Sequence, residues 1–166
     1  VPERVSYSLI DMNLDNGRGG ITSVKDSTIV SDTLDNGHMT ACRHGNGRDW
    51  WIISHKYNSN LRHKILVSPN GPILESTQSI GTSTPDILDW YGQACFSPDG
   101  TKYAIALART GSVELFDFDR CTGVLSNPRI VYINDSTAGL LGVSFSPDSR
   151  FLYTSSSLYL YQLDTW

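Results

Sequence analysis

The sequence is short of what helices and membrane spans require. Among its 166 residues there are only 6 Ala, 4 Lys, 3 Gln and 2 Met, the types that favour helix interiors. Apolar runs last only a few residues, against the ~20 that a bilayer-crossing helix needs, so no membrane-spanning helix is expected. Cysteine is scarce and odd in number: Cys42, Cys95 and Cys121 lack CxxC spacing, which argues against a zinc ribbon or a disulfide scaffold. Positive charge is in deficit, with 13 Lys plus Arg against 17 Asp plus Glu and a net charge of −4. With no basic run to track phosphates, nucleic acid is not an expected partner. Glu3, Arg4, Asp11, Asp15 and Arg18 interrupt the first twenty residues, so they hold no apolar core of a signal peptide. What is plentiful is turn chemistry: 14 Asp against 3 Glu, 9 Asn, 14 Gly and 7 Pro. Set among Ser, Thr, Val, Ile and aromatic residues, these point to an all-β chain of short strands.

Internal similarity organises the chain. The stretch from Ala41-Cys42 to Trp50-Trp51-Ile52-Ile53 lies over Ala94-Cys95-Phe96 to Tyr103-Ala104-Ile105-Ala106, and Phe96-Ser97-Pro98-Asp99 recurs as Phe145-Ser146-Pro147-Asp148. Each copy reads as a strand, a tight polar turn and a second strand, which is a hairpin. Third strands follow at Leu61 to Ser68, Val113 to Asp119 and Leu158 to Leu163. Fourth strands follow at Pro72 to Ile80 and Arg129 to Asn134. Four short antiparallel strands per ~45–50 residues are the signature of a β-propeller blade. Leu115-Phe116 and Leu158-Tyr159-Leu160-Tyr161 put apolar groups on alternate sides, as sheets buried on both faces require. Ser8 to Gly17 overlays Glu114 to Gly123, so the chain opens on a third strand, with Ile21 to Val30 as the fourth.

The expected organisation is one propeller domain: a partial blade at 1–36, blades at 37–84 and 85–135, and three strands of a further blade at 136–166. Such a set does not close a ring alone, since propellers use about four to eight blades. With Val1-Pro2 in place of an initiator Met and Trp166 closing a strand, the chain reads as a segment of a larger propeller. The remaining blades, or other copies of the chain, are then its expected partners.

The Phe-Ser-Pro-Asp-Gly hairpin at 96–100 and its partner at 145–149 resemble WD40-like repeats of bacterial propellers, including those of the TolB type. Tyr7 to Met12, Met39 to His44, Gly47-Arg48-Asp49-Trp50-Trp51 and Phe116 to Gly123 resemble the propeller region of large secreted surface proteins of Bacteroidetes-type bacteria, which often end in a sorting or gliding-motility-associated segment. The resemblance implies an extracellular or cell-surface location and a non-catalytic binding or scaffold role with a protein or carbohydrate ligand. It supplies no catalytic motif.

Candidate chemistry is thin. Arg48, Asp49, Trp50 and Trp51 form an aromatic patch beside charge, suited to a sugar or a protein partner, with one of the two rings serving as core between blades. His38, His44, His55 and His63 fall in one blade. If residues 57–60 turn the chain, His55 and His63 stand nearly opposite each other and are the weak metal candidates. No HExxH, EF-hand spacing or Gly-x-Ser-x-Gly elbow is present, and no metal or cofactor is expected. Asp99, Gly100 and Asp148 read as hairpin-turn residues, and Asp117 and Asp119 as caps of a glycine turn. Cys42 and Cys95 read as small buried thiols, Cys121 as exposed. The alternative reading is a propeller-type hydrolase, or the propeller half of a protease with catalysis elsewhere. Channel-end ligands on the first strands would mark such an enzyme, and the equivalent positions hold Cys42, Cys95 and Ser144.

Overall fold

The computed structural model describes residues 1–83, 91–133 and 139–165. The expected boundaries at 84/85 and 135/136, the strand end at Asn134 and the role of Trp166 lie outside them. Among the described residues are fifteen strands: β1 (Arg4–Tyr7), β2 (Ile10–Asp11), β3 (Gly20–Ile21), β4 (Ser27–Ser31), β5 (Leu34–Arg43), β6 (Trp50–Lys56), β7 (Leu61–Ser68), β8 (Gly71–Ser79), β9 (Ala94–Phe96), β10 (Lys102–Leu107), β11 (Ser112–Asp119), β12 (Val124–Tyr132), β13 (Gly142–Phe145), β14 (Phe151–Ser155) and β15 (Leu160–Asp164). A single 3-10 turn spans Asp15–Gly17. No helix among these residues is long and apolar enough to cross a membrane.

β5-β6-β7-β8 and β9-β10-β11-β12 are four-stranded antiparallel sheets in sequential order, and β13-β14-β15 is a three-stranded one. At the N-terminal end β1 pairs with β4 and β2 with β3, one interrupted hairpin that starts at Arg4 rather than at Ser8. The repeated turns are built alike. Ser97 Oγ donates to Asp99 Oδ1 (2.6 Å) and accepts from Lys102 N–H (2.9 Å), while Ser146 Oγ donates to Asp148 Oδ1 (2.5 Å) and accepts from Phe151 N–H (2.8 Å). Each Asp also accepts the backbone N–H two residues on, closing an Asx turn that points the next strand back.

The sheets stack face to face, with their first strands side by side. Asn36 and Tyr91 form a parallel bridge, and Gln93 N–H donates to Leu141 O at 2.8 Å. Hydrophobic cores fill the seams. Cys42, Trp51 and Ile53 of the first complete sheet meet Tyr103, Ile105, Phe116 and Phe118 of the second, whose other face (Ala104, Ala106, Val113, Leu115) packs on Val143, Phe145 and Leu152. Consecutive residues of β10, and Leu115 and Phe116 of β11, thus point into two different cores, which is why β10 from Tyr103 to Leu107 is apolar without alternation. This is the propeller arrangement: all-β, with radially stacked four-stranded antiparallel sheets. Leu158, Tyr159 and Leu160, expected to be covered on both faces, are 64%, 60% and 71% exposed, and β15 begins only at Leu160.

Phe116 is fully buried in the seam, with rings of Tyr103 at 5.8 Å and the Arg62 guanidinium at 5.7 Å. Phe116→Ala is expected to cost about 3–5 kcal/mol, read from denaturant unfolding. A loss of under about 1 kcal/mol would show that the two sheets are not cooperatively packed.

Candidate functional site

The pairing of β5 with β6 is regular from Met39 onward, but Leu34 faces Lys56 and Met39 faces Ser54. Residues 35–38 of β5 therefore stand opposite the single residue His55, a wide bulge. In a regular strand Asp35 and His38, three apart, would point to opposite faces; the bulge turns both to one side. Gly37 sits there at φ +92° and passes so close to Gly92 that a Cβ would fall 2.2 Å from the Gly92 carbonyl oxygen. Gly92, at φ +140°, in turn leaves room beside Ala106 O and His38 Nε2.

Asp35 is the centre of the resulting cluster. Its Oδ2 lies 3.1 Å from His38 Nδ1 and 2.6 Å from His55 Nδ1, and all three side chains are fully buried. His38 Nε2–H donates to Ala106 O across the seam (3.1 Å), and His55 Nε2–H to Ser59 O (2.6 Å). Burial pushes the Asp35 carboxyl up, but hydrogen bonds and charge from His38 and His55 outweigh it and hold the group below its usual value. Burial pushes His55 down to about 4, against the opposing pull of Asp35. Asp35, His38 and His55 present ligand-type atoms within 4.8 Å of one another.

A second buried group adjoins it. Arg62 of β7 donates to Glu114 of β11 (3.4 Å), whose other oxygen accepts the Thr82 N–H (2.7 Å) and hydroxyl (2.9 Å). Arg62 Nε and Nη1 and the Tyr103 hydroxyl have no hydrogen-bond partner among the described residues. Burial lowers the Arg62 pKa and raises that of Tyr103. A cavity of about 430 Å³ opens between β1 and β5, bordered by Arg4, Ser6, Asp35, Asn36, Met39 and Ser54. Together these groups offer a carboxylate backed by two imidazoles for proton transfer and buried cationic and phenolic groups, with the cavity reaching Asp35 among them.

The residues singled out from sequence are dispersed. His55 pairs with Arg62 and His63 with Ser54, a register one residue from the expected one, so His55 and His63 lie on opposite faces. His63 faces Asp32 instead, at 3.2 Å. Trp50 is 46% exposed, whereas Trp51 is buried, donates from its indole N–H to Arg120 O (2.9 Å) and stacks on His44. Arg48 pairs with Asp49 at 2.8 Å. Asp119 accepts from Cys121 N–H and Thr122 Oγ1 within its turn, while Asp117 pairs with Arg129 at 2.8 Å. Asp99, Gly100 and Asp148 sit in the hairpin turns described above. All three cysteines are free thiols: Cys42 is buried, Cys95 half-buried and Cys121 exposed.

No protein-family model and no curated protein sequence matches the chain. Solved structures do. A proposed 6-phosphogluconolactonase from Bacteroides uniformis matches with a TM-score of 0.66 at 16% identity, over 96% of this chain and 46% of its own. A second from Bacteroides fragilis gives 0.65 at 12%, over 98% and 44%. A periplasmic gluconolactonase from Pseudomonas aeruginosa gives 0.57 at 12%, over 91% and 43%. These likenesses establish a propeller fold. The chain spans somewhat under half the length of these proteins.

The names correct one expectation. A non-catalytic binding or scaffold module, with no enzyme activity, is not the reading the neighbours favour, since three of them carry lactonase names. The physical reason for the miss lies in where polar groups were sought. Cys42 and Cys95 belong to hydrophobic seams, while the polar groups converge from positions the repeat does not make equivalent: the β5 bulge, the end of β6, the start of β7 and the middle of β11. The Asp35-Asn36-Gly37 run of turn formers inside a strand is the signal that marks the bulge.

Gly92→Ala is expected to destabilise the fold by about 1–3 kcal/mol, because the methyl meets Ala106 O at 2.4 Å; unfolding indistinguishable from wild type would remove the His38 seam contact from the account. In thiol labelling at pH 8, Cys121 is expected to react first. Cys95, pushed up to about 12 by burial, reacts only on unfolding, and modification of Cys95 at the Cys121 rate would contradict this placement.

Proposed function

We propose that the chain belongs to a propeller-type hydrolase acting on sugar lactones. The observation carrying this is the joint one: propellers bearing lactonase names superpose on 91–98% of the chain, and a buried carboxylate-imidazole cluster borders a cavity of about 430 Å³. That volume lies in the range of small-molecule sites. Opening a lactone needs a base to take a proton from water as it adds to the carbonyl carbon, a cation or donor for the oxyanion that forms, and return of that proton to the ring oxygen as its bond to the carbonyl carbon breaks. Asp35 is assigned as the base, with His38 and His55 as the positioning groups that hold its carboxylate ionised. Arg4, on the cavity rim in an exposed pair with Asp26 at 2.6 Å, is assigned to the oxyanion or to a substrate phosphate.

Two subsidiary assignments go with this reading. The resemblance to secreted surface proteins and the periplasmic name of one neighbour support a location outside the cytoplasm. The exposure of Trp50 and Arg48 supports them as an outer carbohydrate contact, whereas Trp51 belongs to the core.

Gluconolactone and 6-phosphogluconolactone hydrolysis, followed by acid release in a pH-stat against the spontaneous rate, is the direct assay. The expected outcome is turnover above background that falls about 10²–10⁴-fold in Asp35→Asn. Hydrolysis of both lactones at the spontaneous rate would sink the proposal.

A further inference from the structure

His38 and His55 reach Asp35 from two strands with their tautomers already set. Each Nε2 faces a backbone carbonyl, Ala106 O at 3.1 Å and Ser59 O at 2.6 Å. A carbonyl oxygen only accepts, so each ring carries a hydrogen on Nε2. Both Nδ1 atoms then face the Asp35 carboxylate, at 3.1 and 2.6 Å from Oδ2. Three ligand-type atoms gathered this closely, with no solvent exposure, need positive charge among them, either a proton on a ring or a bound cation. The outer N–H of each ring tied to a carbonyl is also how metal-ligating histidines are oriented.

We propose that Asp35, His38 and His55 bind one divalent ion of the zinc class. Their ligand atoms already lie within 4.8 Å of one another; a tetrahedral site with bonds near 2.1 Å sets them about 3.4 Å apart, so seating the ion requires only small side-chain rotations. Two imidazoles with one carboxylate suit zinc, cobalt or nickel better than the oxygen-seeking calcium and magnesium. Of the other buried charges nearby, Arg62 and Glu114 face each other at 3.4 Å. A cation here would join the β5 bulge to the end of β6, and through His38 to the second sheet. The site does not rest on the lactonase reading: it concerns what the cluster holds, and an ion there would occupy the Asp35 carboxylate that the lactonase reading uses as its base.

Zinc content after incubation with zinc sulfate and exhaustive dialysis tests it. The wild-type chain is expected to retain about one zinc and to unfold at a higher temperature with zinc than with chelator. Asp35→Asn and His55→Gln should each lose the ion, and His63→Gln, on the opposite face, should keep it. Because either loss variant can fail to fold, cobalt(II) added to the wild-type chain provides a second readout, the visible absorption of a four-coordinate site. Retention of no metal, with no thermal shift for zinc, cobalt or nickel, would overturn the proposal and assign the missing positive charge to protons on the rings. Zinc lost from His63→Gln but kept by the folded Asp35→Asn would overturn it equally.

Discussion

The described centre depends on one constraint: four residues of β5 must fit opposite one residue of β6. The bulge satisfies it by driving Gly37 into positive φ against the Gly92 backbone, an approach any side chain would block. In return, Asp35 and His38 come to the same side, and His38 crosses the seam to Ala106. A regular strand would leave one of the two on the wrong face, and the buried carboxylate would lose a partner it cannot do without.

The seam supplies the environment that makes this arrangement consequential. Tyr103 and Phe116 are fully buried beside the equally buried Arg62 and Glu114, so charge pairing there is strong and any missing partner is expensive. The same burial pushes His55 down to about 4 and leaves Asp35 as the cluster member that borders the cavity. Packing and chemistry are thus set by the same two sheets: a change that loosens the seam also rehydrates the cluster.

Legibility in the sequence followed repetition. The Ser-Pro-Asp turns were readable because both copies use one hydrogen-bond pattern, Ser Oγ to Asp with the Asp capping the next strand. The strand order within each four-stranded sheet was readable because consecutive strands pair across short turns. Arg62, Tyr103 and Glu114 were not singled out, since each occurs once and only the stacking of two sheets brings them together. His55 and His63 show the sharper failure: a single residue of register decides which face a side chain occupies, and the composition of a four-residue turn does not fix that residue. Leu158, Tyr159 and Leu160 show another, apolar residues in a strand-like run that the described structure leaves exposed.

By itself, the sequence determined the all-β class, the four-strand period and the polar turns, because these rest on contacts between residues close along the chain. Tertiary structure alone decided the site. Asp35, His38, His55, Arg62 and Glu114 gain their chemistry from a bulge held open by two glycines and from burial between two sheets, and neither the register nor the desolvation that produces them is written in any local run of residues.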